Sequence, residues 1–234
     1  MDILQKTTVH YTVIVAGGSG LRFGAELPKQ FLELCGMPIL MHTIKAFYDA
    51  IEGCRIILVL PQSHQQYWQE LCQQYHFDIA MEIATAGNTR YESVKNGLAC
   101  IEAESGEDVL VAIHDGVRPL VTRQMIEDAY LTAREYGSAI PVIPVVDSVR
   151  QTQPDGTTKT LQRNRLYAVQ TPQAFRWETL KDAYGKPYND MFTDDASVVE
   201  ANGETIHTYK GDIRNLKITH PIDLVIAQYH LEHE

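Results

Sequence analysis

Apolar positions along this chain fall into two kinds of block. Short continuous runs rich in β-branched residues occur at Thr12–Ala16, Arg55–Leu60, Asp108–His114 and Ser138–Pro144, with a weaker one at Met81–Thr85, and such runs predict buried strands. Between them apolar residues recur every three or four positions, which predicts helices. Pro38–Asp49 carries Ile39, His42, Thr43, Ala46 and Phe47 at helical spacing, with a proline suited to the first turn. A second helix follows Ser63, a candidate cap, through about Tyr75. A third starts at Thr89, in capping-box spacing with Glu92, and runs to about Glu102. A fourth starts near Thr122 and is stopped by Gly137. Strand and helix therefore alternate up to Pro144, which predicts an α/β fold with a doubly wound, mainly parallel sheet.

Beyond Pro144 the alternation breaks. Residues 145–171 hold Pro154-Asp155-Gly156 between two extended stretches, the pattern of a β-hairpin projecting as an arm. Helices are expected again at Arg176–Tyr184 and Asp194–Ala201, a strand at Thr205–Tyr209, and a closing helix at Pro221–Leu231. With no internal repeat, low-complexity tract or linker, the expectation is one domain, 1–234, that includes the 145–171 arm.

The totals narrow the function. The 234 residues are 44% hydrophobic, enough to bury about 70% of the unfolded surface. Twenty basic against 30 acidic residues give a net charge of −10, which argues against nucleic-acid or anionic-membrane partners. An anionic substrate would then need a local cationic cluster. Cys35, Cys54, Cys72 and Cys100 show no metal-like spacing, and Cys54 and Cys100 read as small core residues. Residues 1–10 do not resemble a signal peptide and no apolar run is long enough to span a bilayer, so the expected location is the cytoplasm.

Chemistry enters directly after the first run. Gly17, Gly18, Gly20 and Gly24 fall within eight residues, and glycines so placed let a ligand approach backbone N–H groups closely. Arg22 lies inside this loop and Lys29 follows Pro28 at its far end, completing a socket for a polyphosphate. The dinucleotide fingerprint fails, because Phe23 stands where its third glycine belongs and the second run ends Leu60-Pro61-Gln62-Ser63 without a ribose-binding acid. The Walker pattern fails too, since no glycine precedes Lys-Ser or Lys-Thr. His114-Asp115-Gly116-Val117-Arg118-Pro119 stands at the carboxyl end of the Asp108–His114 run, and ligands of open parallel sheets bind beyond the carboxyl ends of strands, so Asp115 should meet the glycine loop. One Asp before a triphosphate suits Mg²⁺, which takes most of its ligands from water and phosphates; the plainer alternative is an Asp capping a turn beside a packed His114. Gly87 to Ser93 offers a helix N-terminus with N–H groups for anions or base edges, Arg90 being an exposed first-turn residue on the plainer reading. Lys217 stands between Leu216 and Ile218, which on a strand would send those two to one face and Lys217 to the other; a solvated charge run is the alternative.

The stretch A-G-G-S-G-L-R-F-G followed by P-K-Q resembles the signature of nucleotidyltransferases that join a sugar or polyol phosphate to a nucleotide. Within them it is most similar to the cytidylyltransferases acting on methylerythritol phosphate and ribitol phosphate. Further motifs follow in the same order: the glycine, arginine and serine of 87–93, H-D-G-V-R-P at 114–119, Q-T-P-Q at 170–173, T-D-D-A-S at 193–197 for the family's T-D-E-A-S, and N-L-K-I-T at 215–219 for N-I-K-V-T. The resemblance implies a Rossmann-like nucleotidyltransferase fold, transfer of CMP from CTP to a polyol phosphate in isoprenoid-precursor synthesis, and Mg²⁺ on Asp115. It further implies that Ala16, Gly17, Gly18, Gly20, Gly87 and Ser93 bind the nucleotide and that Arg22 and Lys29 neutralise its phosphates. Arg163 and Lys217 would grip the acceptor phosphate, with Arg118, Ser148, Thr171 and Thr193 around it. Finally, it implies a homodimer formed through the arm, with Ser148 and Arg163 entering the partner's site.

Two acceptors stay open. The ribitol enzymes share A-G-G, D-x-x-R-P and Q-T-P-Q, and Ser148 replaces the Thr usual in the methylerythritol enzymes, whereas T-D-D-A-S favours methylerythritol phosphate. A non-catalytic nucleotide-binding module would not need Arg163, Thr193 and Lys217. A nicotinamide dehydrogenase would suit the fold but lacks its fingerprint.

Overall fold

The computed structural model describes residues 8–18, 27–104 and 106–233. Its first half alternates strand and helix: β1 (Thr8–Val15), a small ribbon of β2 (Glu33–Leu34) and β3 (Met37–Pro38), α1 (Ile39–Ala50), β4 (Arg55–Leu60), α2 (Gln62–Gln74), β5 (Glu82–Thr85), α3 (Arg90–Leu98), β6 (Asp108–Asp115), α4 (Arg123–Tyr136) and β7 (Ser138–Pro144). β1 pairs in parallel with β4 and with β6, and β4 with β5. The registers Val15↔Val59 and Val15↔Asp115 bring these strands to a common carboxyl edge.

Side chains of successive strand residues leave opposite faces, and both faces of this sheet are covered. Ile14, Leu58, Leu110 and Ala112 pack with Leu40, Ile44, Phe47, Trp68 and Ile126 from α1, α2 and α4. Their neighbours Val13, Ile57, Val111 and Ile113 pack on the other face with Val94 and Leu98 of α3. This is the doubly wound arrangement, and it explains why the strand runs are apolar throughout.

The second half departs from the alternation as expected. β8 (Arg150–Thr152) and β9 (Thr158–Thr160) form an antiparallel hairpin whose residues are all exposed, and β10 (Tyr167–Val169) returns antiparallel along β7. β11 (Gln173–Arg176) then runs antiparallel between β6 and β7. α5 (Trp177–Tyr184) and α6 (Asp195–Ala201) cover the α3 face, β12 (Thr208–Lys210) pairs in parallel with β7, and α7 (Pro221–Glu232) closes over a third cluster of Leu34, Ile39, Val117, Ile218 and Ala227.

Several local expectations are corrected. Ser63 lies inside α2, whose N-cap position is Pro61 with no side-chain cap; a proline there already fixes the entry φ. α3 ends at Leu98, four residues early. β11 was not anticipated. Leu216–Ile218 form no strand, although Ile218 is buried, Leu216 packs beside it and Lys217 is exposed, so the alternation survives in an irregular segment. Cys54 and Cys100 are free thiols that are only partly buried.

Candidate active site

The carboxyl edge of β1 and β6 opens into a cleft of about 450 Å³ lined by Ala16, Gly17, Gly18, Lys29, Gln30, Gly87, Asn88, Arg90, Ser93, Asp115 and Lys217, among others. A second cavity of about 320 Å³ shares Arg90, Asp115 and Lys217 with it and extends to Arg118, Gln170, Thr171, Gln173 and Thr193. Gly20 and Arg22 lie outside the described residues.

The nucleotide side is built by close approaches. Gln30, itself 1% exposed, donates to the Ala16 carbonyl at 2.9 Å, pinning the chain where β1 ends, and Lys29 precedes it in a 3-10 turn. A Cβ at Gly17 would lie 3.1 Å from the Ala86 Cβ, whereas one at Gly18 would meet nothing within 4 Å among the described residues. Thr89 caps α3 by accepting from the Glu92 N–H at 3.0 Å. The Glu92 carboxylate reaches one residue further than a capping box requires, accepting from the Asn88 N–H at 2.7 Å. Ser93 is nearly buried, its hydroxyl accepting from Gly87 N–H and donating to the Thr89 carbonyl. A Cβ at Gly87 would stand 2.3 Å from the Glu92 Cβ, so only glycine fits beneath that side chain.

Asp115 is the charge centre where the two cavities meet. Its Oδ2 takes Arg118 Nε at 3.0 Å and Lys217 Nζ at 3.1 Å, and Oδ1 faces Arg90 Nε at 3.9 Å. Burial alone would raise its pKa, but Lys217, Arg90 and Arg118 together hold it well below the usual carboxylate range. Arg118 is committed beneath it, 9% exposed, with Nη1 on the Asn215 carbonyl. His114 is fully buried; burial outweighs the pull of Asp115 and lowers its pKa to about 3. The neutral ring donates from Nε2 to the Arg118 carbonyl and accepts at Nδ1 from Thr171, whose oxygen in turn accepts from Asp115 N–H.

The Q-T-P-Q motif proves to be a brace. The Gln170 amide donates to the Asp212 and Asn215 carbonyls, and the Asn215 amide donates to the Thr171 carbonyl, so the irregular connector that carries Lys217 is stitched to the sheet. Gln173 donates to Asp194 and accepts from Ala196 N–H, fastening the start of α6. Sequence reasoning assigned Thr171 to the substrate and gave Gln170 and Gln173 no role, because their partners lie 21 to 45 positions away. For Arg90 it offered an exposed first-turn residue as the plainer reading and no specific role. Arg90 instead makes a two-pronged contact with the fully buried Asp195, at 2.8 and 2.6 Å. Thr193 reaches the second cavity. Ser148 and Arg163 do not line either cavity; both are exposed on the arm, where the Arg163 guanidinium donates to the Val146 carbonyl.

Among the described residues no group of three or more His, Cys, Asp or Glu side chains could hold a metal ion by itself. Among the described residues Asp115 is the sole acidic one lining this cleft, and its Oδ1 is the oxygen beyond hydrogen-bond distance of the described cations around it. That donor set fits an ion such as Mg²⁺, which binds through one or two carboxylates and takes its other ligands from phosphates and water.

A model of the 2-C-methyl-D-erythritol 4-phosphate cytidylyltransferase family matches residues 10–233. Two relatives with that name, from Phocaeicola vulgatus and Bacteroides thetaiotaomicron, are 50% and 49% identical over 93% and 92% of this chain and 97% and 96% of their own. A solved 4-diphosphocytidyl-2C-methyl-D-erythritol synthase from Anaerococcus prevotii superposes with a TM-score of 0.80 at 25% identity, covering 97% of this chain and 99% of its own. The Thermus thermophilus 2-C-methyl-D-erythritol 4-phosphate cytidylyltransferase gives 0.75 at 27% identity, covering 97% and 100%.

Proposed function

The chain belongs to the 2-C-methyl-D-erythritol 4-phosphate cytidylyltransferase family, and from that membership we infer an enzyme that moves CMP from CTP onto 2-C-methyl-D-erythritol 4-phosphate in isoprenoid-precursor synthesis. The observation that carries this reading onto the site is Asp115, a buried carboxylate ringed by Arg90, Arg118 and Lys217 where a nucleotide-sized cleft meets a smaller one. The relatives are named for the methylerythritol acceptor, so ribitol phosphate is not favoured.

An oxygen of the acceptor phosphate attacks the α-phosphorus of CTP, the bond to the bridging oxygen breaks, and its electron pair leaves with pyrophosphate. A phosphate monoester is largely dianionic at pH 7, its second pKa being about 6, so no general base is assigned. The barrier is the meeting of two anions and the spreading of charge in the transition state. Lys29, with Arg22, would face the triphosphate; Gly17, Gly18, Gly87 and Ser93 would hold the nucleoside against bare backbone. Lys217 would present the acceptor phosphate while tethered to Asp115, with Thr193 and the Arg118 and Thr171 side of the smaller cavity around it. Mg²⁺ bound at Asp115 would neutralise charge on the triphosphate.

The 145–171 arm belongs, on this proposal, to a single domain of residues 1–234 and joins two copies into a homodimer, so that Ser148 and Arg163 complete the partner's acceptor pocket. Their position away from either cavity of their own chain supports that reading. Pyrophosphate release from CTP with methylerythritol phosphate and ribitol 5-phosphate side by side tests the assignment: faster turnover of the ribitol substrate would overturn it.

A further inference from the structure

Among the described residues three cations approach Asp115, and they do not approach alike. Arg118 and Lys217 are within hydrogen-bond distance of Oδ2, but Arg90 stops 3.9 Å short of Oδ1. The cause of the gap is on the far side of Arg90. Both its terminal nitrogens are spent on Asp195, at 2.8 and 2.6 Å, and a two-pronged contact fixes the plane of a guanidinium as well as its position. Asp195 is itself immobile: it is 0% exposed, begins α6, and its Oδ1 also accepts from the Tyr184 hydroxyl at 2.6 Å. Tyr184 is wedged in turn, 2% exposed and stacked on the Tyr91 ring with centroids 4.8 Å apart. The start of α6 cannot drift either, because Gln173 ties Asp194 and the Ala196 N–H to β11.

We propose that Asp195 is a positioning residue that holds Arg90 back from Asp115 and so keeps Oδ1 open for a divalent cation. The inference rests on the reading of Asp115 as the metal-binding carboxylate. Without the Asp195 charge, the nearest carboxylate for Arg90 among the described residues is Asp115, and closing their loose 3.9 Å ion pair to hydrogen-bond distance would occupy the oxygen that Arg118 and Lys217 leave. An arginine pressed onto that oxygen competes with the metal for it. Tyr184 is placed by the same geometry to keep Asp195 turned toward Arg90.

The test is Mn²⁺ titration by electron paramagnetic resonance, with the full-length protein and a non-cleavable α,β-methylene CTP. Asp195→Asn keeps the shape and the acceptor oxygen but removes the charge. It should weaken Mn²⁺ binding by about 10- to 100-fold, the usual cost of losing a partner behind a metal ligand. Asp195→Glu, which keeps the charge, should bind within a few-fold of the parent. Arg90→Gln combined with Asp195→Asn removes the competitor and should recover the parent affinity. Asp115→Asn serves as the reference. If it binds Mn²⁺ as the parent does, the metal reading itself fails. If it loses binding while Asp195→Asn does not, or if the double variant stays as weak as Asp195→Asn, the holding-back role is overturned. Should Asp195→Asn not fold, a crystal structure of the parent with Mg²⁺ and the analogue decides: Arg90 still paired with Asp195 supports the role, and Arg90 moved onto Asp115 overturns it.

Discussion

Lys29, Asp115 and His114 show what single residues contribute to this site. Lys29 lines the cleft from the turn behind the glycine loop. Removing one preorganised donor of this kind costs about 10²–10³ in turnover. Lys29→Ala should lose that much kcat while keeping the parent's thermal midpoint, since the side chain is outside the core; a loss below about tenfold on the same scale would take Lys29 out of the mechanism. His114 gives a pH signature. Burial lowers its native pKa to about 3, from the ordinary histidine value of about 6.5. Below about pH 6.5 the unfolded chain takes up a proton that the native fold refuses, so stability rises with pH across the window from 3 to 6.5 and this group adds nothing above it. Its slope approaches about 1.4 kcal/mol per pH unit. Denaturant melts between pH 4 and 7 should show that slope, and His114→Gln should flatten it by about one proton's worth; parallel curves would mean the ring is not held neutral. Asp115, Lys29 and Lys217 could be picked out in the sequence because each is a charge in a recognisable local string. Arg90, Gln173 and Asn215 stand in similar strings, but what they do is not legible there, since it is set by a buried partner far along the chain.

α3 shows how an element carries the site. Its first turn supplies Arg90 and Ser93, while its last turn is set against the sheet at Gly97, where an added Cβ would come within 2.7 Å of Val13 Cγ1 and 2.8 Å of Val59 Cγ2. Neither β-branched neighbour can turn aside easily. Gly97→Ala should therefore lift the helix from the sheet and cost about 1–3 kcal/mol, less the helix propensity that alanine adds. Because the same helix lines the cleft, KM for CTP should rise in that variant; an unchanged KM with lowered stability would show that the N-terminal turn is held independently by its Thr89 cap. The strands and helices of the first half were legible because apolar runs and caps there are local: Thr122 accepts from Met125 N–H and Gly137 ends α4 at φ 90° as the spacing predicts. β11 was not, because Gln173-Ala174-Phe175-Arg176 is too short to show a period and is a strand only by lying between β6 and β7.

For the whole molecule the outstanding feature is the arm. β8 and β9 bury none of their residues, and Val146, Tyr167 and Val169 around them are 79%, 57% and 42% exposed. A two-stranded hairpin is marginal by itself in water, and its open edges invite pairing. A second copy of the arm, related by a two-fold axis, would cover both edges and apolar side chains at once. On the proposed dimer, Arg163 serves the cleft that contains the partner's Lys29. Lys29→Ala and Arg163→Ala homodimers should each be nearly inactive. Mixed dimers gather both defects in one site and leave the other intact. With free exchange about half the dimers are mixed, so mixing equal amounts should restore about a quarter of the parent activity. If Arg163 served its own chain, every site would keep one defect. Exchange confirmed by native mass spectrometry with no recovered activity would then refute the shared site.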